Sequence, residues 1–370
     1  MKKVCIVTAA RSEYGLLRWV IDEVHRSEDL ELQLVVTGGH LSPEQGLTYK
    51  FIEEDGYPIA EKVEMLVSSD NEVGIAKSMG LCSISIADTF KRLSPDILVV
   101  LGDRYEQLSI VGTALVMGIP IAHISGGDVT EGAIDDEIRN ALSMMATLHF
   151  PGVEASAANL RRMRGSDKNI FTVGEPGLDS FLRMKLWTKE QLANDLCLDI
   201  TKRWCLVTLH SETKLHKEDN LSMAKALFDS MQEFDDCQFV ITKANADLGG
   251  STINNFWKEA ICQDEDKFLL IPSLGQIRYL SFMREVDAVL GNSSSGIVEA
   301  PFMGTPVVNI GERQNGRYIC KNVICCGRSK KEITDAMYKA MKAPRQIDKY
   351  WGDGFSSERI VKQIREFLYK

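Results

Sequence analysis

The chain has 370 residues, room for two domains at roughly 150 residues each, and its 43 Lys and Arg against 52 Asp and Glu leave a formal net charge of −9. Such a charge gives no overall field to attract nucleic acid or an anionic membrane, so a phosphate ligand has to be held locally. Hydrophobic content of 44% with 26% charged residues is that of an ordinary soluble globular protein, and no apolar run approaches the roughly 18 to 20 residues of a membrane span.

In chain order, the first apolar run, at 4–8, follows Lys2 and Lys3 and soon meets Arg11 and Glu13, so it reads as the first strand of a cytoplasmic protein rather than a signal peptide. Short runs rich in Val, Ile and Leu recur at 32–37, 97–101, 120–124 and 170–173, then at 204–209, 239–242, 268–271, 288–290 and 306–310. Bounded by Gly, Pro or Asp, they suit parallel strands buried on both faces. Between them, 17–24, 106–116, 136–145 and 223–231 carry apolar residues at three- and four-residue spacing, the pattern of helices. The alternation runs through both halves. The expected fold is therefore α/β, with two doubly wound, Rossmann-like domains facing across a cleft. The first is expected over 1–175 and the second over 176–355, joined where Gly174, Pro176 and Gly177 break both patterns. Residues 356–370 read as a C-terminal helix packing back on the first domain.

Nine cysteines, an odd number scattered mostly inside apolar runs without a C-x-x-C pair, suggest reduced, packed thiols. The six histidines show no zinc-binding spacing, so no metal is expected.

The loop after the first strand, 8–15, stands where a dinucleotide fingerprint would but lacks G-x-G-x-x-G, which argues against an ordinary NAD site. It still offers amides near a helix N-terminus, with Arg11 placed to pair a phosphate or simply a surface carboxylate. Ligands of open α/β sheets sit outside the C-terminal strand ends, which favours Asp103 and Arg104 after the run 97–101. After 120–124 comes a loop with three glycines and five carboxylates: Asp128, Glu131, Asp135, Asp136 and Glu137. Crowded carboxylates raise one another's pKa and let one act as acid while another acts as base; Asp136 and Glu137 are read instead as solvated helix-start residues. In the second half, His210 follows a buried strand, where a histidine can bond a phosphate or move a proton. The segment 291–301, Gly-Asn-Ser-Ser-Ser-Gly-Ile-Val-Glu-Ala-Pro, is the most specific local signal. Its small residues let amides approach a diphosphate, and Glu299, a turn further on, can accept bonds from ribose hydroxyls. Lys243, Arg313 and Arg317 supply local positive charge after strands. Asn245, Asp247 and Ser273 occupy similar loop positions, where ligand contacts and ordinary loop roles are both open.

Taken together, the segments 8–15, 102–106, 126–139, 208–213, 245–247, 291–301, 311–317 and 352–359 resemble the hydrolysing UDP-N-acetylglucosamine 2-epimerases of bacterial sialic acid and legionaminic acid biosynthesis. The resemblance runs almost end to end. It implies the two-domain GT-B fold, with the nucleotide held mainly by the C-terminal domain, no cofactor, and a homodimer. It also implies a reaction on UDP-N-acetylglucosamine or a 2,4-diacetamido analogue: elimination of UDP to a 2-acetamidoglucal, then hydration to the free manno sugar. By the same resemblance Asp103 and Asp135 match the acid/base carboxylates, and His210 the histidine near the diphosphate. Ser293, Ser294 and Glu299 match nucleotide-binding positions, with Arg11 and Arg313 as phosphate partners. One position departs: many relatives carry a catalytic glutamate immediately before the Gly126-Gly127 pair, where this chain has Ser125. That leaves Asp128, Glu131 or water to take the proton. The competing readings are a GT-B glycosyltransferase, which needs an acceptor, and a nucleotide-sugar-binding regulator without turnover.

Overall fold

The computed structural model describes residues 1–67, 71–130, 134–212, 215–244, 249–262 and 264–370. The chain divides into two compact units. One comprises Met1–Asp128, Asp135–Leu182 and Gly352–Lys370, the other Val129–Ile134 and Arg183–Trp351.

The first unit holds β1 (Lys2–Thr8), β2 (Leu30–Thr37), β3 (Ile59–Val63), β4 (Ile97–Leu101), β5 (Ile121–Ile124) and β6 (Leu148–Phe150). They form one parallel sheet in the order β3-β2-β1-β4-β5-β6. Val4, Cys5, Ile6 and Val7 are all fully buried because both faces of the sheet are covered. Val4 and Ile6 pack with Leu17, Val20, Ile21 and Val24 of the helix Arg11–His25. Cys5 and Val7 lie on the opposite face with Cys82, Ile86 and Phe90 of the helix Glu72–Leu93. Strand alternation thus sends successive residues of β1 into two separate cores.

The helix Ser356–Leu368 returns to this unit and places Ile360, Val361 and Ile364 in the core beside the helix Arg11–His25. Its start is fixed from a distance. The fully buried Asp179 accepts the Ser356 N–H at 2.9 Å and the Ser357 N–H at 2.8 Å. Two buried amides would lose their acceptor in Asp179→Ala, so a loss of about 3 kcal/mol is expected, measured by chemical denaturation.

The second unit repeats the arrangement. Its strands are β7 (Arg203–Thr208), β8 (Cys237–Thr242), β9 (Phe268–Ile271), β10 (Ala288–Gly291), β11 (Val307–Ile310) and β12 (Val323–Cys326), ordered β12-β11-β10-β7-β8-β9 and all parallel. Cys205, Val207, Phe239, Ile241 and Leu290 pack with Met223, Leu227, Trp257, Ile333 and Met337. Counted from its own first strand, each sheet has the dinucleotide-fold order 3-2-1-4-5-6. The order reverses between β1 and β4, and again between β7 and β10.

The stretch expected as a strand at 170–173 is corrected by the structure: only Ile170 makes a bridge, to His149, and the rest is extended chain running beside β6. Among the described residues, no helix is long and apolar enough to cross a membrane.

Candidate active site

In open α/β sheets the strand order reverses where two loops diverge, and the space between them receives ligands. In the first unit those loops follow β1 and β4. Thr8 ends β1, the helix begins at Arg11, and the Arg11 guanidinium lies over the Phe51 ring, 4.6 Å from its centroid. Beneath the loop sits a buried carboxylate that sequence reasoning passed over, Glu13. It accepts the Ala9 N–H at 2.5 Å, the Thr8 hydroxyl at 3.2 Å and the Gln107 amide at 2.6 Å. Burial pushes its carboxyl up to about 7 against these donors. Arg104 donates to Glu106 from Nε at 3.2 Å and from Nη2 at 3.0 Å, which fixes its base at the start of the helix Tyr105–Val116.

Asp103, two residues beyond β4, forms an ion pair with Arg139. Arg139 lies on the helix Asp135–Met145, is almost wholly buried, and donates from Nη1 to the Asp128 carbonyl at 3.0 Å. Burial works against its charge, while the carboxylates of Asp103, Asp128 and Asp135 hold it. One cation therefore gathers Asp103, Asp128 and Asp135, three of the four carboxylates left as acid/base candidates by the sequence. The Asp128 side chain is itself committed, accepting the Ser156 hydroxyl at 2.5 Å from a buried position. Asp135 opens the helix, with Asp136 and Glu137 in the same first turn. Glu131 lies outside the described residues.

The β4 and β5 loops are tied together. Buried His123 places Nε2 2.8 Å from the Gly102 carbonyl and Nδ1 3.1 Å from the Ser143 hydroxyl. Burial drives its pKa down to about 4, so the ring is neutral and Nε2 carries the proton given to the carbonyl.

In the second unit the loops that follow β7 and β10 meet through a reciprocal pair. The His210 N–H donates to Asn292 Oδ1 at 2.8 Å, and Asn292 Nδ2 donates to the His210 carbonyl at 2.9 Å. The His210 position, largely buried, is thereby fixed at the switch point. The Asn292 carbonyl in turn accepts Arg313 Nη1 at 3.2 Å and Gln314 Nε2 at 2.9 Å. Ser293 caps the short helix Ser294–Ile297 and accepts bonds from the Ser295 N–H and hydroxyl at 3.4 and 3.0 Å. Ser294 is exposed beside it. Glu299 starts the next short helix, Glu299–Met303; burial pushes its carboxyl up to about 7, with its own backbone N–H and Arg317 pulling the other way. The second unit thus joins His210, Ser293, Ser294 and Arg313 around Asn292, a residue sequence reasoning did not single out. Ser273 is exposed and accepts the Gly275 N–H at 3.3 Å, and Asn245 and Asp247 fall outside the described residues.

What these two sites do is informed by comparison with known proteins. The sequence signature of the UDP-N-acetylglucosamine 2-epimerase family matches residues 22–365. The chain is 39% identical to a GDP/UDP-N,N'-diacetylbacillosamine 2-epimerase (hydrolyzing) from Campylobacter jejuni, over 87% of this chain and 84% of that protein. It is 31% identical to a UDP-N,N'-diacetylbacillosamine 2-epimerase (hydrolyzing) from Legionella pneumophila, over 99% of this chain and 96% of that one. The crystal structure of a UDP-GlcNAc 2-epimerase from Neisseria meningitidis shares the fold, with a TM-score of 0.82 at 17% identity over 98% of this chain and 100% of that chain.

Proposed function

The chain belongs to the UDP-N-acetylglucosamine 2-epimerase family, and from that membership we propose that it is a hydrolysing nucleotide-sugar 2-epimerase acting on a 2,4-diacetamido-2,4,6-trideoxy sugar carried by a nucleoside diphosphate. The observation that carries this reading is the likeness to two hydrolysing diacetylbacillosamine epimerases across most of the chain. The Asp103 carboxylate beside the first switch point supplies the acid/base group such a reaction needs.

The C2 proton of the sugar is not next to a carbonyl, so its removal is coupled to departure of the diphosphate from C1. The C2–H electron pair becomes the C1=C2 bond as the C1–O bond breaks, giving a 2-acetamidoglucal. Water then adds at C1 while C2 is reprotonated on its other face, which yields the free manno sugar. Asp103 and Asp135 are assigned the proton transfers at C2. His210 and Arg313 are assigned the diphosphate, with Arg11 and Arg104 as further phosphate or sugar partners. Ser293, Ser294 and Glu299 are assigned the nucleoside, and Ser273 and Asn245 are kept as further candidates for substrate or nucleotide contacts. The direct test incubates the protein with the UDP-linked diacetamido sugar and no acceptor. Release of UDP with a free manno product is expected, and an absolute need for an acceptor would instead establish a glycosyltransferase.

Glu299 gives the nucleotide grip a pH signature. Its carboxyl holds a proton up to about pH 7, and the ionised carboxylate accepts ribose hydroxyls more strongly than the protonated form. UDP affinity measured by calorimetry is therefore expected to fall as pH drops from 8 to 6, by up to about tenfold per unit below 7. Glu299→Gln should bind more weakly at pH 8 and lose this part of the pH dependence.

The proposal extends to a cytoplasmic homodimer making manno sugars for sialic- or legionaminic-type acids. Family membership supports the pathway. Exposed apolar side chains support the dimer: Val73, Leu81 and Ile84 on the helix Glu72–Leu93, with Leu115 and Val116 on the helix Tyr105–Val116 packed against it.

A further inference from the structure

The loops after β4, β5 and β6 lie side by side at one end of the first sheet, and Asp103 is not the only proton-handling group there. Ser125 directly follows β5, and its N–H donates to the Phe150 carbonyl at 2.9 Å. The extended chain beyond Ile170 runs along β6, with the Val173 N–H on the Pro151 carbonyl and the Gly174 N–H on the Gly152 carbonyl, both at 3.0 Å. That pairing delivers Glu175 to the same sheet end. The Ser125 hydroxyl donates to Glu175 Oε2 at 2.8 Å.

Three features single this contact out. Ser125 holds φ at +59°, a conformation that costs an L residue other than Gly of order 1 kcal/mol or more and so points to a demand on the side chain. Glu175 is only 9% exposed, while Ser125 is half-buried and reachable. Gly152 leaves the room: a Cβ there would lie 1.9 Å from Glu175 Oε1. A backbone strain, a missing side chain and a buried carboxylate thus converge on one hydroxyl.

We propose that Ser125 and Glu175 form a proton relay, in which the carboxylate expected before Gly126-Gly127 is supplied from position 175 and acts through the serine. The inference rests on the hydrolysing epimerase reading. In the hydration step the oxygen of water bonds to C1 of the glucal as C2 takes a proton from the acid on its other face. The water loses one proton to Ser125 Oγ as the Ser125 Oγ–H proton passes to Glu175. The serine is regenerated, Glu175 holds the proton and then releases it to solvent, and no other reactant is consumed. Acid/base groups of this kind contribute on the order of a hundredfold to ten-thousandfold.

Steady-state kinetics on the full-length protein, with UDP binding and thermal melting measured in parallel, tests the relay. Glu175→Gln is expected to lower kcat about 100-fold with UDP affinity changed less than about threefold. Ser125→Gly relieves the positive φ, so it should melt no lower than wild type yet lose kcat by a similar factor; it decides the matter where Glu175→Gln fails to fold. The double variant Ser125→Glu with Glu175→Ser moves the carboxylate back to position 125 and should recover at least tenfold over Glu175→Ser alone. A folded Ser125→Gly enzyme with wild-type kcat, or a double variant no better than Glu175→Ser, would overturn the relay. Wild-type protein that releases no UDP from the nucleotide sugar would instead overturn the epimerase reading, whatever the variants do.

Discussion

Asp103→Asn is expected to lower kcat by 10³-fold or more while UDP affinity changes by less than about threefold. Asparagine keeps the shape and one acceptor oxygen but cannot take or give the C2 proton. His210, Ser293, Ser294, Glu299 and Arg313, proposed to carry most of the nucleotide grip, lie in the second unit, whereas Asp103 lies in the first with only the further partners Arg11 and Arg104. A parallel loss of UDP binding would contradict that division of roles. The substitution also leaves the buried Arg139 with a neutral partner, so a destabilisation of about 2 kcal/mol should accompany the kinetic effect. The Asp128 carbonyl and the Asp135 and Asp136 carboxylates still hold the guanidinium, which keeps the variant folded. Rate and stability measured on the same preparation separate the two consequences.

Gly291→Ala is the second large effect, and it acts through the backbone. β10 and β7 approach so closely at the switch point that a Cβ on Gly291 would stand 2.0 Å from the Thr208 carbonyl oxygen. The residue also holds φ at +131°, which L side chains rarely adopt. The clash and the dihedral strain together should cost about 4 kcal/mol, a fall of roughly 10 °C in Tm for a unit of this size. Relief would have to come from parting β7 from β10, which carry His210 and Asn292 at their ends. UDP binding should therefore drop at least tenfold even where the protein remains folded. Calorimetry at a temperature well below the transition reads that loss, and unchanged affinity would show that the His210–Asn292 junction does not shape the nucleotide site.

The central strands were legible in the sequence because burial on both faces leaves an unbroken apolar run. The runs 97–101 and 288–290 match β4 and β10, both central and buried along their length. The edge strands β3 and β12 were not. β3 reads Ile-Ala-Glu-Lys-Val and β12 ends in two cysteines, one of them exposed, so neither has a run to see. The run at 170–173 misled for the converse reason: it is apolar and extended, yet it pairs beside β6 with too few bonds to make a strand.

Loop positions after strands were also readable, since a doubly wound sheet carries its chemistry there. Asp103, His210 and the segment 291–301 follow from that rule. Their partners do not, because the contacts span the chain: Asn292 meets His210 from 82 residues away, and Glu175 meets Ser125 from 50. Arg139 was hidden differently. A lone arginine on an amphipathic helix looks like surface, and only its burial against Asp103 shows that it organises the acidic loop. Glu13 gave no signal either, since its role is to accept backbone and side-chain donors beneath the first loop.

The most direct test of the account is turnover of the nucleotide sugar in heavy water, with the product examined by proton NMR. Elimination followed by hydration requires a solvent-derived proton at C2, so one deuterium per molecule is expected there, in a product of manno configuration. A product that keeps its original hydrogen at C2 would contradict the elimination.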